Sequence, residues 1–182
     1  MRVCLILGGA ECLWNDLAAF KGPWDGLVAC NEAGAACPGE LDGFATLHPH
    51  YWLKKGWLAQ RTAAGFPPAK RLFAHDRKEV PQVEAAAGVA VTVTPWLFPG
   101  QAWPDASITS GIFAAKVALV DLGFDLGIFC GIPMTETPHF FDAEPWKTAT
   151  RYAKRLPNIP AEYRNRLRSM SGATRDFFGA PD

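Results

Sequence analysis

The sequence lacks an excess of charge of either sign. Lys plus Arg and Asp plus Glu number 18 each, so the formal net charge at pH 7 is zero. Duplex nucleic acid is held chiefly by a broad positive surface, and this balance predicts that duplex nucleic acid is not a partner. Basic residues do concentrate between Lys147 and Arg175, which is typical of either a solvated helical face or a phosphate-binding surface.

Paired cysteines and long apolar runs are also missing. The five cysteines show neither CxxC nor paired Cys/His spacing, which argues against a disulfide framework or a structural zinc site and favours a reducing, cytoplasmic setting. The apolar run over residues 2–7 is too short for the core of a signal peptide, and no later run reaches the length of a membrane span. We therefore expect no membrane partner.

Several signatures of catalytic or cofactor sites are absent. The turn after residue 7 lacks the third glycine of a dinucleotide fingerprint and the Lys-Ser/Thr pair of a P-loop, so neither NAD nor a Walker-type site is predicted. A GxSxG elbow is missing too, which excludes the α/β-hydrolase arrangement. Any cofactor is unknown, and a divalent metal is compatible with the sequence but indicated by no ligand motif.

The sequence does contain an alternation of short strand-like runs and helical spacing. Apolar or β-branched runs typical of buried strands occupy residues 2–7, 26–30, 43–47, 71–74, 89–94 and 124–130. Helical spacing or composition marks residues 11–20, 51–64 and 112–122. We predict one α/β domain over residues 1–156, with a mostly parallel sheet flanked by helices, and a short helical extension over residues 157–182.

Two glycine-containing turns are the first candidates for a ligand site. Gly8, Gly9, Ala10 and Glu11 follow the first predicted strand, where glycine lets the backbone approach a ligand and a helix start attracts anions. A tight turn without a ligand explains that segment equally well. The second turn precedes the long helix and combines three hydroxyls with a glycine, in Ser107, Thr109, Ser110 and Gly111. Capping alone needs only one of those hydroxyls, so a phosphate ligand is the alternative.

Polar groups at the ends of predicted strands form the third candidate set. Asn31, His48, His50 and Gly131 follow such strands, and in parallel sheets the ligand crevice lies beyond the carboxyl ends. His48 or His50 could serve as general acid or base, whereas a surface-loop role or metal ligation are the alternatives. Cys30 and Cys130 could be nucleophiles, but a buried, inert thiol is the commoner case at the end of an apolar strand.

The segment over residues 95–105 is rich in Pro, Gly and Trp, which favours a lid or specificity loop. Trp96, Trp103 and Trp146 could stack against a base or sugar, although core packing is the default role of tryptophan. The same segment could instead form an interface, and a homo-oligomer is therefore left open.

Two segments resemble a known group of proteins. LILGGAECLWNDL resembles the strand-GxGPSL-helix opening of a group that includes the MptE-like 6-hydroxymethylpterin diphosphokinases and the bacterial sialyltransferases that use a CMP-activated sugar. SITSGIFAAKVALVDLGFDLGIFCGIPM is similar to the same group's TSG-containing segment. The resemblance implies a Rossmann-like fold whose nucleotide pocket is lined by Gly8, Gly9, Ala10, Asn31, Thr109, Ser110, Gly111 and Gly131.

The sequence departs from that group at two places. Ala10-Glu11-Cys12 stands where the group has Gly-Pro-Ser, which would put the Glu11 carboxylate near the expected phosphate, and Pro133 stands where an acidic residue usually follows the last strand. We expect a small phosphorylated or nucleotide-type ligand and a nucleotide-sugar or nucleotide-dependent transferase. The alternative is a non-catalytic binding protein or a phage-associated interaction protein, since RSMSGATRDFFGAP resembles endings of small phage and prophage proteins.

Overall fold

Seven parallel strands form one sheet in the computed structural model, which describes residues 1–102 and 109–181. The strands are β1 (Val3–Leu7), β2 (Gly26–Cys30), β3 (Gly43–Thr46), β4 (Leu72–Ala74), β5 (Val91–Val93), β6 (Leu126–Cys130) and β7 (Leu167–Ser169). Their order across the sheet is β5-β4-β3-β2-β1-β6-β7. The predicted fold class, a single Rossmann-like domain with a parallel sheet between helices, is confirmed.

Helices connect the strands. They are α1 (Leu13–Ala19), α2 (Glu32–Ala36), α3 (Tyr51–Lys54), α4 (Trp57–Ala63), α5 (Val80–Ala87), α6 (Ser110–Lys116), α7 (Ala149–Ala153), α8 (Ala161–Arg164) and α9 (Gly172–Phe178). A π-helical turn, Val117–Asp121, continues α6, and a 3-10 turn, Leu156–Asn158, follows α7. Within the described residues, no helix is both long and apolar enough to cross a bilayer.

The sheet is covered on both faces, which explains why the central strands are apolar at every position. In β1, Leu5 and Leu7 pack with residues of α1 to α5, whereas Cys4 and Ile6 pack with residues of α6 on the opposite face. All five residues of β1 are buried. A strand that faces solvent on one side would instead alternate apolar and polar residues.

The order of the strands creates a crevice beside β1. From β1 the chain steps outward to β5, and it then returns across the opposite face through α6 to place β6 on the other side of β1. The connections therefore leave β1 and β6 in opposite directions. Ligand sites of open α/β sheets lie at such a switch point, beyond the carboxyl ends of the strands.

The structure differs from the sequence prediction in several places. The predicted helix over residues 51–64 is two helices, because Gly56 adopts a left-handed conformation with φ of 67°. Helices α2, α5 and α7 were not predicted. The segment after residue 157 contains β7 as well as short helices, and β7 pairs in parallel with β6. This edge strand has only three residues, too few to show a period of two.

A buried arginine fastens the connections on the α1-to-α5 face. Arg61, on α4, is 2% exposed. Its guanidinium donates hydrogen bonds to the carbonyl oxygens of Gly34 and Cys37 at 2.9 Å each, of Pro67 at 2.6 Å, and of Gly39. One side chain thus satisfies carbonyls from the end of α2, from the loop before β3 and from the loop after α4.

We predict that Arg61→Met lowers the free energy of unfolding by about 3 kcal/mol or more. The substitution removes charge-assisted hydrogen bonds and leaves buried carbonyls without donors. Urea denaturation followed by circular dichroism measures the change. Thr62→Ala, at the neighbouring exposed position, should stay within about 0.5 kcal/mol of the unsubstituted protein. Equal stability of Arg61→Met and Thr62→Ala would contradict the role of Arg61.

Candidate functional site

A cavity of about 310 Å³ lies at the carboxyl ends of the central strands, beside β1 and β6. Most of the site residues predicted from the sequence line this cavity. They are Gly8, Gly9, Ala10, Asn31, His48, Thr109, Ser110, Gly111 and Gly131. Further lining residues come from the segment after β6 and from α7, among them Thr135, Thr137, His139, Trp146 and Tyr152. Two turns that are about a hundred residues apart in the chain therefore face one space. That these residues bind a ligand remains a prediction.

Two of the described residues that the sequence predicted, Glu11 and His50, do not line this cavity. Glu11 is exposed, and its amide donates to the carbonyl oxygen of Pro138 at 3.1 Å. The Glu11 carboxylate is therefore not among the groups that would face a phosphate. His50 lines a neighbouring pocket. Ser107 lies outside the described residues.

The turn after β1 packs directly against the turn after β6. The amide of Gly8 donates to the carbonyl oxygen of Cys130 at 2.9 Å, and the amide of Ala10 donates to that of Gly131 at 3.1 Å. A Cβ at Gly8 would lie 2.3 Å from Cγ1 of Ile132. Gly8 is needed for this close approach, and the amides of Gly8 and Ala10 are engaged by the protein and not available to an anion.

A buried carboxylate holds the turn after β6 in place. Asp16, on α1, is 6% exposed. It accepts hydrogen bonds from the amide of Gly131 at 2.8 Å and from the hydroxyl of Ser171 at 2.9 Å. Gly131 has φ of 69°, where a side chain would be strained. Asp16 thus links α1, β6 and the segment after β7 beneath the cavity.

The start of α6 brings Thr109, Ser110 and Gly111 to the cavity. The hydroxyl oxygen of Thr109 accepts from the amide of Ile112 at 3.2 Å and caps the helix. The amides of Ser110 and Gly111 lie in the first turn, where no acceptor exists within the helix. Amides at this position carry the positive end of the helix dipole. The positive side of the cavity is therefore at α6.

Asn31 is fixed in a strained conformation at the end of β2. Its φ of 50° and ψ of −131° are unusual for a residue other than glycine. The side-chain oxygen of Asn31 accepts from the hydroxyl of Thr46 at 2.9 Å, and the oxygen of Thr46 accepts from the amide of His48 at 3.0 Å. The group that Asn31 can offer a ligand is therefore its side-chain NH₂. Strain of this kind is concentrated at functional sites.

His139 lines the cavity, although the sequence did not single it out. It forms an isolated antiparallel bridge with Ala10, and a Cβ at Gly9 would lie 3.3 Å from its Cδ2. Burial lowers the pKa of His139 below its ordinary value, against the opposing charges of Glu32 and Asp142. The segment after β6 has no periodic pattern, so only its position after a strand end could have drawn attention to His139.

His48 stands at the outer edge of the cavity. Partial desolvation lowers the pKa of its exposed imidazole, and positive charge on His50 and His75 lowers it further. Both cavity histidines are consequently biased toward the neutral form, which can accept a proton.

The tryptophans predicted as stacking residues do not all lie in the same pocket. Trp146 lines the cavity and stacks with Tyr152, with ring centroids 5.6 Å apart. Trp96 lies in the neighbouring pocket. Trp103 lies outside the described residues. A flat ligand in the cavity would therefore meet Trp146.

Charged and metal-binding groups are few around this space. Among the described lining residues there is no Lys or Arg, and the one carboxylate, Glu32, pairs with Lys55 at 3.2 Å. No group of three His, Cys, Asp or Glu side chains in residues 1–102 and 109–181 could hold a metal. Burial raises the pKa of the Cys30 thiol to about 12 and that of Cys130 still further. Neither thiol is therefore suited to act as a nucleophile.

Comparison with known proteins gives matches in structure alone. No family model matches the chain, and no curated protein matches its sequence. Sialyltransferase CstII from Campylobacter jejuni, solved with a trisaccharide acceptor and CMP, aligns over 100% of this chain and 86% of its own length, with a TM-score of 0.68 and 13% identity. The same enzyme with CMP-3FNeuAc gives a TM-score of 0.64 at 14% identity, with the same coverage. Monofunctional α-2,3-sialyltransferase Cst-I from the same organism covers 99% of this chain and 80% of its own length, with a TM-score of 0.67 and 14% identity. At these identities the likeness shows a shared fold.

We predict that Gly8→Ala destabilises the protein by more than about 2 kcal/mol, because the new methyl group would overlap Ile132 and the carbonyl oxygen of Gly131, 2.6 Å away. Thermal and urea unfolding measure the loss. Gly65→Ala is the matched control, since a Cβ there meets no atom within 4 Å. The positive φ of Gly65 should lower the unfolding free energy of the alanine variant by only about 1 kcal/mol. Equal losses for the two variants would show that the turns do not need this contact.

The lowered pKa of His139 predicts a pH dependence of stability. A histidine whose pKa is lower in the folded state resists protonation there, so the protein loses stability as the pH falls from about 6.5 toward the folded-state pKa. Above that window both states are neutral, and the contribution is constant. His139→Gln should reduce the fall in unfolding free energy between about pH 7 and pH 5. Parallel pH profiles for the variant and the unsubstituted protein would be inconsistent with a half-buried His139 that resists protonation.

Proposed function

We propose that this chain binds a cytidine nucleotide or a CMP-activated sugar in the cavity and transfers the sugar to a small acceptor. The observation that carries the proposal is the meeting of the α6 start, Asn31 and the two glycine turns around one cavity at the switch point of the sheet. Structures with the same fold were solved with CMP and with CMP-3FNeuAc, which favours a cytidine nucleotide as the ligand to test first.

The described groups suit a mononucleotide. A cavity of about 310 Å³ is at the lower end of the range for ligand pockets, roughly 300 to 1,000 Å³. The amides of Ser110 and Gly111 and the NH₂ of Asn31 would donate to the phosphate, and Trp146 would pack against the base or the sugar. Since the described lining has no Lys or Arg, uncharged donors must hold the phosphate.

His48 and His139 are the candidate general bases. Each lines the cavity, and each has a pKa below its ordinary value. The neutral imidazole can accept the proton of an acceptor hydroxyl at neutral pH. His50, the other candidate from the sequence, lies in the neighbouring pocket and would have to act from there.

Binding without turnover is the second candidate function. The observation that favours it is the absence of a cationic side chain among the described lining residues, since such a group commonly stabilises a departing phosphate. The two functions share the nucleotide site and differ in whether the sugar is transferred.

Calorimetry with CMP, UMP, GMP and AMP tests the ligand. We expect CMP to bind most tightly. Ser110→Pro removes the amide at the first position of α6, where proline is tolerated, and Asn31→Ala removes the side-chain NH₂. Each should weaken CMP binding by about tenfold, the loss of one hydrogen bond to a charged group. Thr62→Ala, on the exposed face of α4, is the control and should bind as the unsubstituted protein does. Failure of every nucleotide to bind at millimolar concentration would refute the proposed site.

Turnover separates the enzyme from the binding protein. With CMP-sialic acid as the probe, release of CMP should fall by about a hundredfold or more in whichever of His48→Ala and His139→Ala removes the base, while the Kd for CMP changes little. Tight CMP binding with no CMP released over hours, in the presence of a saccharide mixture, would favour the non-catalytic function.

A further inference from the structure

A second pocket, of about 290 Å³, adjoins the nucleotide cavity. Leu47 and His48 line both spaces. The second pocket is completed by residues that the proposed nucleotide site does not use, which are Pro49, His50, His75, Asp76, Lys78 and Trp96. We call it the histidine pocket. The imidazole of His48 therefore stands on the border between two neighbouring binding spaces.

The histidine pocket has an aromatic wall. The rings of Trp96 and His75 are nearly parallel, 13° apart in plane, with centroids separated by 5.2 Å. Nε2 of His75 lies 3.3 Å from the carboxylate of Asp76. Its Nδ1 is buried and has no hydrogen-bond partner among the described residues. A ligand hydroxyl is one group that could satisfy this nitrogen.

The backbone that carries Trp96 is anchored by a buried ion pair. Lys116 is 3% exposed, and its ammonium group lies 2.9 Å from a carboxylate oxygen of Asp121. The hydroxyl of Thr94, two residues before Trp96, donates to Asp121 at 3.0 Å and accepts from Lys116. Trp96 itself packs against the hydrophobic core. The wall is consequently set by α6 and its π-helical continuation, the same element that begins at the nucleotide cavity.

The remaining groups of the histidine pocket are polar and reach solvent. Lys78 is exposed, Asp76 has 44% of its side chain exposed, and His50 is half-buried. Together they offer donors and acceptors of both charges around one aromatic face. This composition suits a hydroxyl-rich ring that is apolar on one side, and a saccharide has that character.

We propose that the histidine pocket binds the acceptor, a saccharide whose terminal ring packs on Trp96 and whose hydroxyl points to His48. This assignment rests on the proposed function. The hydroxyl oxygen forms a bond to the anomeric carbon of the CMP-activated sugar. The bond between that carbon and the phosphate oxygen breaks, and its electron pair leaves with CMP. The hydroxyl proton passes to the neutral imidazole of His48.

Saccharide binding and nucleotide binding are measured separately in the experiment. Lactose is the saccharide probe, observed by saturation-transfer NMR with the full chain saturated in CMP, and CMP affinity is measured by calorimetry. We expect Trp96→Ala to weaken lactose binding by tenfold or more and to change the Kd for CMP by less than twofold. Trp96→Phe, which keeps an aromatic face, should restore most of the lactose binding. Trp24→Ala, at a tryptophan that is 50% exposed outside both pockets, should change neither measurement.

Lys78→Ala is a second variant at an exposed position, where the fold is not at risk, and it should weaken lactose binding by a few fold. Its effect should appear as a raised KM for lactose. Unaltered lactose binding in both Trp96→Ala and Lys78→Ala would overturn the acceptor assignment. An equal loss of CMP and lactose binding in correctly folded Trp96→Ala would overturn it as well, because the pocket would then belong to the nucleotide site. If the unsubstituted protein does not bind CMP, the proposed function itself is refuted.

Discussion

The close approach of two backbone turns, at Gly8 and Gly131, is the constraint on which the candidate site depends. Hydrogen bonds from the amides of Gly8 and Ala10 fasten the end of β1 to the end of β6, and the carboxylate of Asp16 fixes Gly131 from below. A side chain at either glycine would push the two strand ends apart. Since the glycines of this contact line the cavity without side chains, the chemistry of the cavity comes from the residues that surround them.

That arrangement changes the role of the first glycine turn. In many nucleotide-binding folds, a turn of this kind offers its amides to phosphate. Here the amides of Gly8 and Ala10 are already engaged, whereas the first turn of α6 keeps amides without an acceptor in the helix. Helix α6 lies on the opposite face of the sheet from α1 to α5. The connection between β5 and β6, which creates the switch point, therefore also places the positive end of the α6 dipole at the switch point.

The sequence predicted the fold and many of the residues that line the candidate cavity, because both depend on local patterns. Continuous apolar runs mark strands buried on both faces, and once the strands are parallel their carboxyl ends must share one edge. Asn31 and His48 could be predicted on that ground alone. His139 could not, because the segment after β6 has neither helical nor strand spacing, and its contact with Ala10 joins residues far apart in the chain. Strand β7 was missed for a similar reason, since its three residues gain their place from β6.

The position of His48 relates the two pockets chemically. A transfer reaction needs a base that can reach the acceptor without entering the space that the leaving nucleotide occupies. An imidazole shared by adjacent pockets meets that requirement. His139 lines only the first cavity, close to Gly9, and under the proposed function it would share that space with the leaving nucleotide. Burial is the largest cause of the lowered pKa of His48. Of the residues in the second pocket, His50 and His75 lower this pKa further, whereas Asp76 raises it. The net shift favours deprotonated His48, which is the form that can accept the acceptor's proton.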